Sequence, residues 1–278
     1  MDWRWVEVNG LVTLATDFGE SDWFVGVMKG VMLRFNPDIR LVDLSHRIAP
    51  HSIASAAYFL TQAYPYFPSG TVHLAVVDPG VGSGRRAAVV ETAHHVLVGP
   101  DNGMLWPVTQ AMGGGRWFSL ENPEWLAGSA SSTFHGRDVF APAAARLASG
   151  ESVESAGPEM ADPVRFEWPR PQRKPEGWHG EVLYIDRFGN CLTNLSRALL
   201  DSEDPDFFAA PRRVEVQFGD HLIQGISPFY QAADPAMPMV VWGSGGALEI
   251  ALYEGNAAAA LGIHLGTSVR LRSRLVSE

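Results

Sequence analysis

Four polar clusters place carboxylates beside glycines, and two of them add arginine or histidine: Thr16-Asp17-Phe18-Gly19 with Asp22, Asp78 to Arg85 (DPGVGSGR), Pro100-Asp101-Asn102-Gly103, and Phe134-His135-Gly136-Arg137-Asp138. These residue types hold or move protons, accept hydroxyl hydrogen bonds, or bind cations. The glycines after Asp78 suggest a phosphate loop, but no Lys-Ser/Thr follows them and Ala87 to Thr92 reads as a strand, not a helix. A structural reading stands beside three of them: a glycine-rich hairpin turn capped by Asp78, an Asx-turn at Asp17, an interior histidine at His135. His73, His94, His95 and His221 have no carboxylates grouped around them in sequence and read as structural or surface residues. Asp17, Asp22, His46, His51, Asp78, His135 and Asp138 form a pool of oxygen and nitrogen donors, which keeps a metal-dependent nucleotide hydrolase open. No HExxH, HxH or EF-hand spacing organises that pool, and no G-x-S-x-G elbow marks a serine hydrolase.

The elements that must carry these clusters alternate. Residues 11 to 16 (LVTLAT) read as a buried strand, Phe24 to Phe35 has helical spacing and stops at Asn36-Pro37, Ile39 to Leu44 is a strand, and Ile53 to Tyr64 a helix. Strands are expected again at Thr71 to Val77, Ala87 to Thr92 and Val96 to Val98. Such alternation indicates an α/β domain with a largely parallel sheet, in which the polar clusters follow strand ends and share a crevice. Near Glu167 to Gly177 (EWPRPQRKPEG) prolines and charges replace any hydrophobic period. Beyond it, Gly180 to Ile185, Arg213 to Phe218, Met239 to Trp242, Leu248 to Leu252 and Ser268 to Leu275 read as short strands of a smaller all-β barrel or sandwich. The expected division is an α/β domain over 1–168, a linker over 169–177 and a β-domain over 178–278.

Length and composition agree with this. At roughly 150 residues per domain, 278 residues make one large domain or two modest ones. With 46 % hydrophobic and 19 % charged residues the chain has the make-up of an ordinary soluble globular protein. Lys+Arg 21 against Asp+Glu 31 gives a net charge of −10, which lacks the basic footprint of a nucleic-acid binder and is compatible with a small cationic substrate. Cys191 is the only cysteine, so an intrachain disulfide and a cysteine-based zinc site are excluded. Met1 to Gly10 lacks a signal-peptide h-region, and no apolar run has the length of a membrane span. A cytoplasmic location without membrane partners is the expectation.

Read together, TDFG…D (Thr16 to Asp22), DLSH (Asp43 to His46), FPSGTVHLAVVDPGVGSGRR (Phe67 to Arg86), PDNG (Pro100 to Gly103), FHGRDVFAP (Phe134 to Pro142), DRFGNCLTN (Asp186 to Asn194) and GSGGALEIALYEGNAA (Gly243 to Ala258) resemble one family. They look like the adenosine-forming S-adenosyl-L-methionine hydrolases, or hydroxide adenosyltransferases, relatives of the fluorinating and chlorinating enzymes. The resemblance runs in order along nearly the whole chain.

The resemblance implies a homotrimer in which the site lies between one subunit's N-terminal domain and a neighbour's C-terminal domain. It implies a catalytic set that falls on Asp78, Arg85 and His135, with Arg86 a rival for the arginine role. Asp17 falls where relatives hold the ribose hydroxyls, Phe188 and Asn190 on the adenine contacts, and Asp186 and Ser244 on those to the methionine amine and carboxylate. An aromatic that covers adenine in relatives has no clean match among Phe229, Tyr230 and Ala232. No cofactor or metal is implied, since S-adenosyl-L-methionine is itself the substrate. The halogenating relatives carry tyrosine where this chain has Asp78, and an anionic carboxylate beside the nucleophile repels halide. Hydrolysis is thus expected over halogenation. A metal-dependent nucleotide hydrolase and a non-catalytic S-adenosylmethionine-binding module are the alternatives.

Overall fold

The run LVTLAT carries no charge and only threonine hydroxyls among apolar side chains, and strands of this kind lie inside parallel sheets covered on both sides. A computed structural model, which describes residues 6–126, 131–208, 212–232 and 237–275, places it so: strand β1 (Leu11–Thr16) is buried throughout. With β2 (Arg40–Ser45), β3 (Thr71–Val76), β4 (Ala87–Glu91), β5 (His95–Pro100) and β6 (Arg116–Ser119) it forms a six-stranded sheet of order β2-β1-β3-β5-β4-β6. The pairs β1–β2, β1–β3 and β3–β5 are parallel. Strand β4 runs against both its neighbours, because only Thr92 to His94 separate it from β5 and so short a link admits only a hairpin. These elements belong to a first compact unit, Met1–Glu167; a second covers Trp168–Glu278.

Helix α1 (Phe24–Phe35) turns Met28 and Met32 onto the sheet. The alanines of α4 (Ala141–Ala148) have little side chain and pack against the same core, among Leu14, Leu74, Val98 and Phe140. Helices α2 (Ile53–Ala63) and α3 (Leu105–Ala111) pack on each other. The register pairs Thr16 with Val76 and Leu74 with Val98, so β1, β3 and β5 end along one edge. The loops opening with Asp17, Val77 and Asp101 leave from that edge, where ligands bind in open α/β sheets.

The hairpin reading of the glycine-rich segment does not hold. That segment joins β3 to β4, and β5 lies between them in the sheet, so Asp78 to Arg86 is a crossing loop with freedom to reach elsewhere. His73 and His95 sit in the sheet interior, with His73 Nδ1 2.7 Å from Thr13 Oγ1 and its Nε2 3.3 Å from His95 Nδ1.

The second unit is an antiparallel sheet built from β7 (Gln172–Lys174), β8 (Gly177–Ile185), β9 (Cys191–Ser196), β10 (Arg212–Phe218), β11 (His221–Gln224), β12 (Pro238–Trp242), β13 (Ala247–Leu252) and β14 (Ser268–Leu275). Its order is β11-β10-β14-β8-β9-β13-β12, with β7 on the side of β8. An isolated bridge from Ser227 to Val241 brings the chain after β11 beside β12, so the sheet curls nearly to closure around Trp178, Leu195, Phe218, Leu248 and Ile250. Two short helices, α5 (Arg197–Glu203) and α6 (Ala257–Leu261), interrupt the strands. Within the segment expected as linker, the exposed Gln172 to Lys174 form an edge strand; the charges that hide a hydrophobic period also suit an unpaired edge. Among the described residues no helix is long and apolar enough to cross a membrane.

Candidate active site

At the edge of the first sheet, Asp78 follows β3 and Arg85 precedes β4, so the two ends of the crossing loop face each other. Arg85 Nε donates to Asp78 Oδ1 at 2.9 Å and to Oδ2 at 3.1 Å, and Nη2 makes a further short bond to Oδ2. The pair is nearly closed off from solvent, the side chains of Asp78 and Arg85 being 5 % and 11 % exposed. Such a fork is stronger and more directional than a lysine–carboxylate contact. Phe140 supports the guanidinium from below, its ring centre 5.1 Å from Cζ.

His135 reaches this pair from another loop. It stands at the head of a π-helical turn, Gly136–Phe140, that runs into α4, and such turns occur often at functional sites. Arg85 Nη2 donates to His135 Nδ1 at 2.7 Å. Burial first, and the Arg85 charge second, hold the His135 pKa below its ordinary 6.5. Gly82 lets the two loops meet: its φ is +75°, and a Cβ there would lie 2.1 Å from the carbonyl oxygen of Ser132. Ser131 N–H donates to Asp138 Oδ2 at 2.8 Å, which ties the entry of the histidine loop to its own turn.

Asp78 and His135 line a cavity of about 140 Å³ whose other walls are Phe18, Phe24, Val76, Val81, Thr133, Phe134 and Gly136. The three phenylalanines meet edge to face or tilted, 5.1–5.9 Å between ring centres. One charged wall in an apolar pocket suits a reaction that must keep bulk water out while orienting a single nucleophile. Asp17 stands at the end of β1, its Oδ2 accepting from His51 N–H at 2.8 Å. The rival arginine points away: Arg86 bonds Asp101 Oδ2 at 3.0 Å and Asp162 Oδ1 at 2.7 Å. The donor pool named from the sequence does not converge, and among the described residues no group of three or more His, Cys, Asp or Glu is placed to hold a metal ion.

The second unit carries its own cavity, about 610 Å³, lined by Phe188, Asn190, Tyr230, Leu252, Tyr253, Glu254, Gly255 and Asn256. Asp186 organises the turn that carries two of these residues: Oδ1 accepts from Phe188 N–H and Asn190 N–H at 2.9 and 2.8 Å, and Oδ2 from the Asn190 amide at 2.9 Å. That turn leaves the Phe188 ring, a wall of the cavity, 72 % exposed. Ser244 is exposed on the β12–β13 turn and is not among the cavity-lining residues. Of the three positions left open for a covering aromatic, Tyr230 lines the cavity.

Sequence reasoning missed Phe24 and Glu249. Glu249 is buried on β13 and accepts from Tyr230 O–H at 2.8 Å; burial pushes its pKa up. Its carboxylate occupies the space of a side chain at Gly243, where a Cβ would fall 1.6 Å from Oε1. The signal was present as one acid inside the apolar run ALEIAL. Cys191 is buried, its thiol pushed up to about 12 by burial, and is inert.

Known proteins share this arrangement of chain. Residues 12–157 match the model of the SAM hydroxide adenosyltransferase N-terminal domain, and residues 180–270 that of the C-terminal domain. A protein of Thermus thermophilus named (R)-S-adenosyl-L-methionine hydrolase is 41 % identical, with 94 % of this chain and 98 % of the relative covered. One of the same name from Salinispora arenicola is 38 % identical, over 94 % and 97 %. The crystal structure of an uncharacterized conserved protein from Thermotoga maritima superposes with a TM-score of 0.85 at 33 % identity, covering 94 % of this chain and 99 % of that one. Two domain models matched in order, and identity of this level along nearly the full length, make the chain a member of the SAM hydroxide adenosyltransferase family.

Proposed function

We propose that the protein hydrolyses S-adenosyl-L-methionine, in the (R) configuration at sulfur named for its relatives, to adenosine and L-methionine. The observation that carries this reading is the Asp78–Arg85–His135 set on the wall of an apolar cavity. Water attacks C5′ in line with the C5′–S bond; the oxygen–carbon bond forms as the carbon–sulfur bond breaks, and the electron pair leaves on sulfur. The departing thioether is neutral, so no general acid is needed. What the protein supplies is a held and polarised nucleophile.

The hydrogen-bond pattern supports Asp78 as the acceptor of the water proton. His135 Nδ1 is already occupied by an arginine N–H, which leaves the ring proton on Nε2. Asp78 Oδ1 takes a single arginine bond and keeps a lone pair for water. The sulfonium charge vanishes in the transition state, so a carboxylate against sulfur would favour the ground state. Phenylalanines line this cavity instead, and Asp17 is left to hold the ribose diol. Phe188 and Asn190 serve the adenine, and Asp186 and Ser244 the methionine amine and carboxylate, contributed by a neighbouring subunit of a trimer.

The test is chromatography of the products formed from each sulfonium epimer in 18O-labelled water. Adenosine and methionine in equal amounts, with label in the 5′-hydroxyl, are expected, and the rate should be unchanged by EDTA. Adenine plus a ribosyl fragment would sink the C5′ mechanism, and metal-restorable loss would favour a metallohydrolase. Excess chloride should give no 5′-chloro-5′-deoxyadenosine.

A further inference from the structure

Thr16, the last residue of β1, is fully buried, and its hydroxyl sits in an ordered chain of polar groups. Phe18 N–H donates to Thr16 Oγ1 at 3.2 Å, and that oxygen lies 2.9 Å from His46 Nδ1. His46 Nε2 is 2.9 Å from Asp43 Oδ1, off the direction of the ring N–H, and Lys29 Nζ holds the other carboxylate oxygen at 2.5 Å. Hydroxyl, imidazole and carboxylate follow one another as in a hydrolase triad. Thr16 has no exposed surface, so no substrate reaches it and a nucleophilic role is excluded.

An amide N–H only donates, so Thr16 Oγ1 accepts from Phe18; the hydroxyl has a second lone pair, and the direction of its bond to His46 follows the tautomer of the ring. In the tautomer taken for the relay Thr16 O–H donates to Nδ1 and the ring hydrogen is on Nε2, beside the Asp43 carboxylate but not aimed at it. The backbone reinforces the link: Gly19 N–H donates to His46 O at 2.7 Å and Ile48 N–H to Thr16 O at 3.4 Å. Farther along the same loop, His51 holds a positive φ of 63° while its N–H caps Asp17. For a residue with a Cβ that conformation is costly and is retained where surrounding structure demands it.

We propose that His46 is a positioning residue: through Thr16 it sets the turn that carries the Asp17 carboxylate and the Phe18 ring, and so the seating of the ribose. This rests on the reading of Asp17 and Phe18 as substrate-facing groups. It also gives the DLSH motif a task that the hydrolytic chemistry leaves unassigned.

The wild-type chain provides one test. Nitrogen NMR of the His46 ring should show Nδ1 bare and Nε2 protonated, and the reverse tautomer overturns the relay whatever the activity. His46→Leu should raise KM about tenfold, the factor for one lost hydrogen bond, with a smaller fall in kcat and faster amide exchange at Phe18 and Gly19. His46→Asn, whose Oδ1 can accept where Nδ1 did, should recover most of the loss. A folded His46→Leu with unchanged KM and unchanged exchange at Phe18 overturns the proposal. If that variant does not fold, Thr16→Val against Thr16→Ser makes the same comparison. A wild type inert toward the substrate would sink the proposed hydrolysis instead and leave the tautomer and exchange measurements to decide the relay.

Discussion

Arg85 Nη2 donates to His135 Nδ1 at 2.7 Å, and the same nitrogen bonds the Asp78 carboxylate. An arginine has no acceptor to offer, so the imidazole nitrogen that faces it is bare and the ring is in its neutral form. Protonating His135 would set an N–H against a guanidinium and break the contact that orients all three groups. Burial and the Arg85 charge already hold that pKa below 6.5. A rate that needs the neutral ring is therefore full above the depressed value and lost as pH falls through it. The acid limb of kcat should have its midpoint below pH 6.5, and His135→Asn should lower the plateau and abolish that limb. A midpoint at or above 6.5 contradicts the assignment.

Removing the two arginines should separate chemistry from architecture. Asp78→Ala and Arg85→Ala take away groups that orient the nucleophile, so kcat should fall on the order of 10²-fold or more with little change in KM. Arg85→Lys should rescue poorly, because a lysine cannot reproduce the fork to Asp78 together with the bond to His135. Arg86→Ala breaks a bond to Asp101, whose side chain is 1 % exposed, and should cost about 1–3 kcal/mol of stability while kcat stays within a few-fold. Calorimetry and steady-state kinetics on the same preparations decide it. Loss of turnover in Arg86→Ala with activity kept in Arg85→Ala would shift the motif register by one residue.

If the site is completed by a neighbouring subunit, inactive chains should complement one another. Asp78→Ala removes a group of the first unit and Ser244→Ala one of the second. After subunit exchange, mixed trimers would contain some sites with both residues intact, and activity should return in part. Exchange verified by mass tags with no recovered turnover would show that each chain builds its site alone.

Much of this was readable before any coordinates, for physical reasons. LVTLAT and Thr71 to Val77 are largely apolar, β-branched-rich runs bounded by polar turns, as buried strands are, and α1 begins and ends where periodicity and Asn36-Pro37 place it. The helix Leu105–Ala111 escaped because proline sits at its third position, and β9 because CLTNLS alternates only weakly. The clustering of Asp78, Arg85 and His135 depends on a long-range approach of two loops, which no local pattern encodes. Gly82 is its trace in the sequence, but among three glycines between Val77 and Arg85 nothing local singles it out.

That glycine carries the last prediction. At φ +75° a Cβ is strained in any setting, and at Gly82 it would also fall 2.1 Å from the backbone oxygen of Ser132, which no side-chain rotation can relieve. Gly82→Ala must therefore push the Asp78–Arg85 loop away from the loop that carries His135. Both loops lie outside the sheet, so the core has no reason to unfold, and the far-UV spectrum should be unchanged. The fork between Asp78 and Arg85 lies within one loop and can survive; the 2.7 Å bond from Arg85 to His135 spans the two and cannot. Displacing an oriented group by about 1 Å can cost on the order of 10²-fold in rate, so kcat should drop steeply while KM moves less, matching His135→Ala rather than Asp17→Ala. The double variant Gly82→Ala/His135→Ala should be hardly slower than either single one, since both remove the same contact. Additive losses would mean that Gly82 acts through something other than His135.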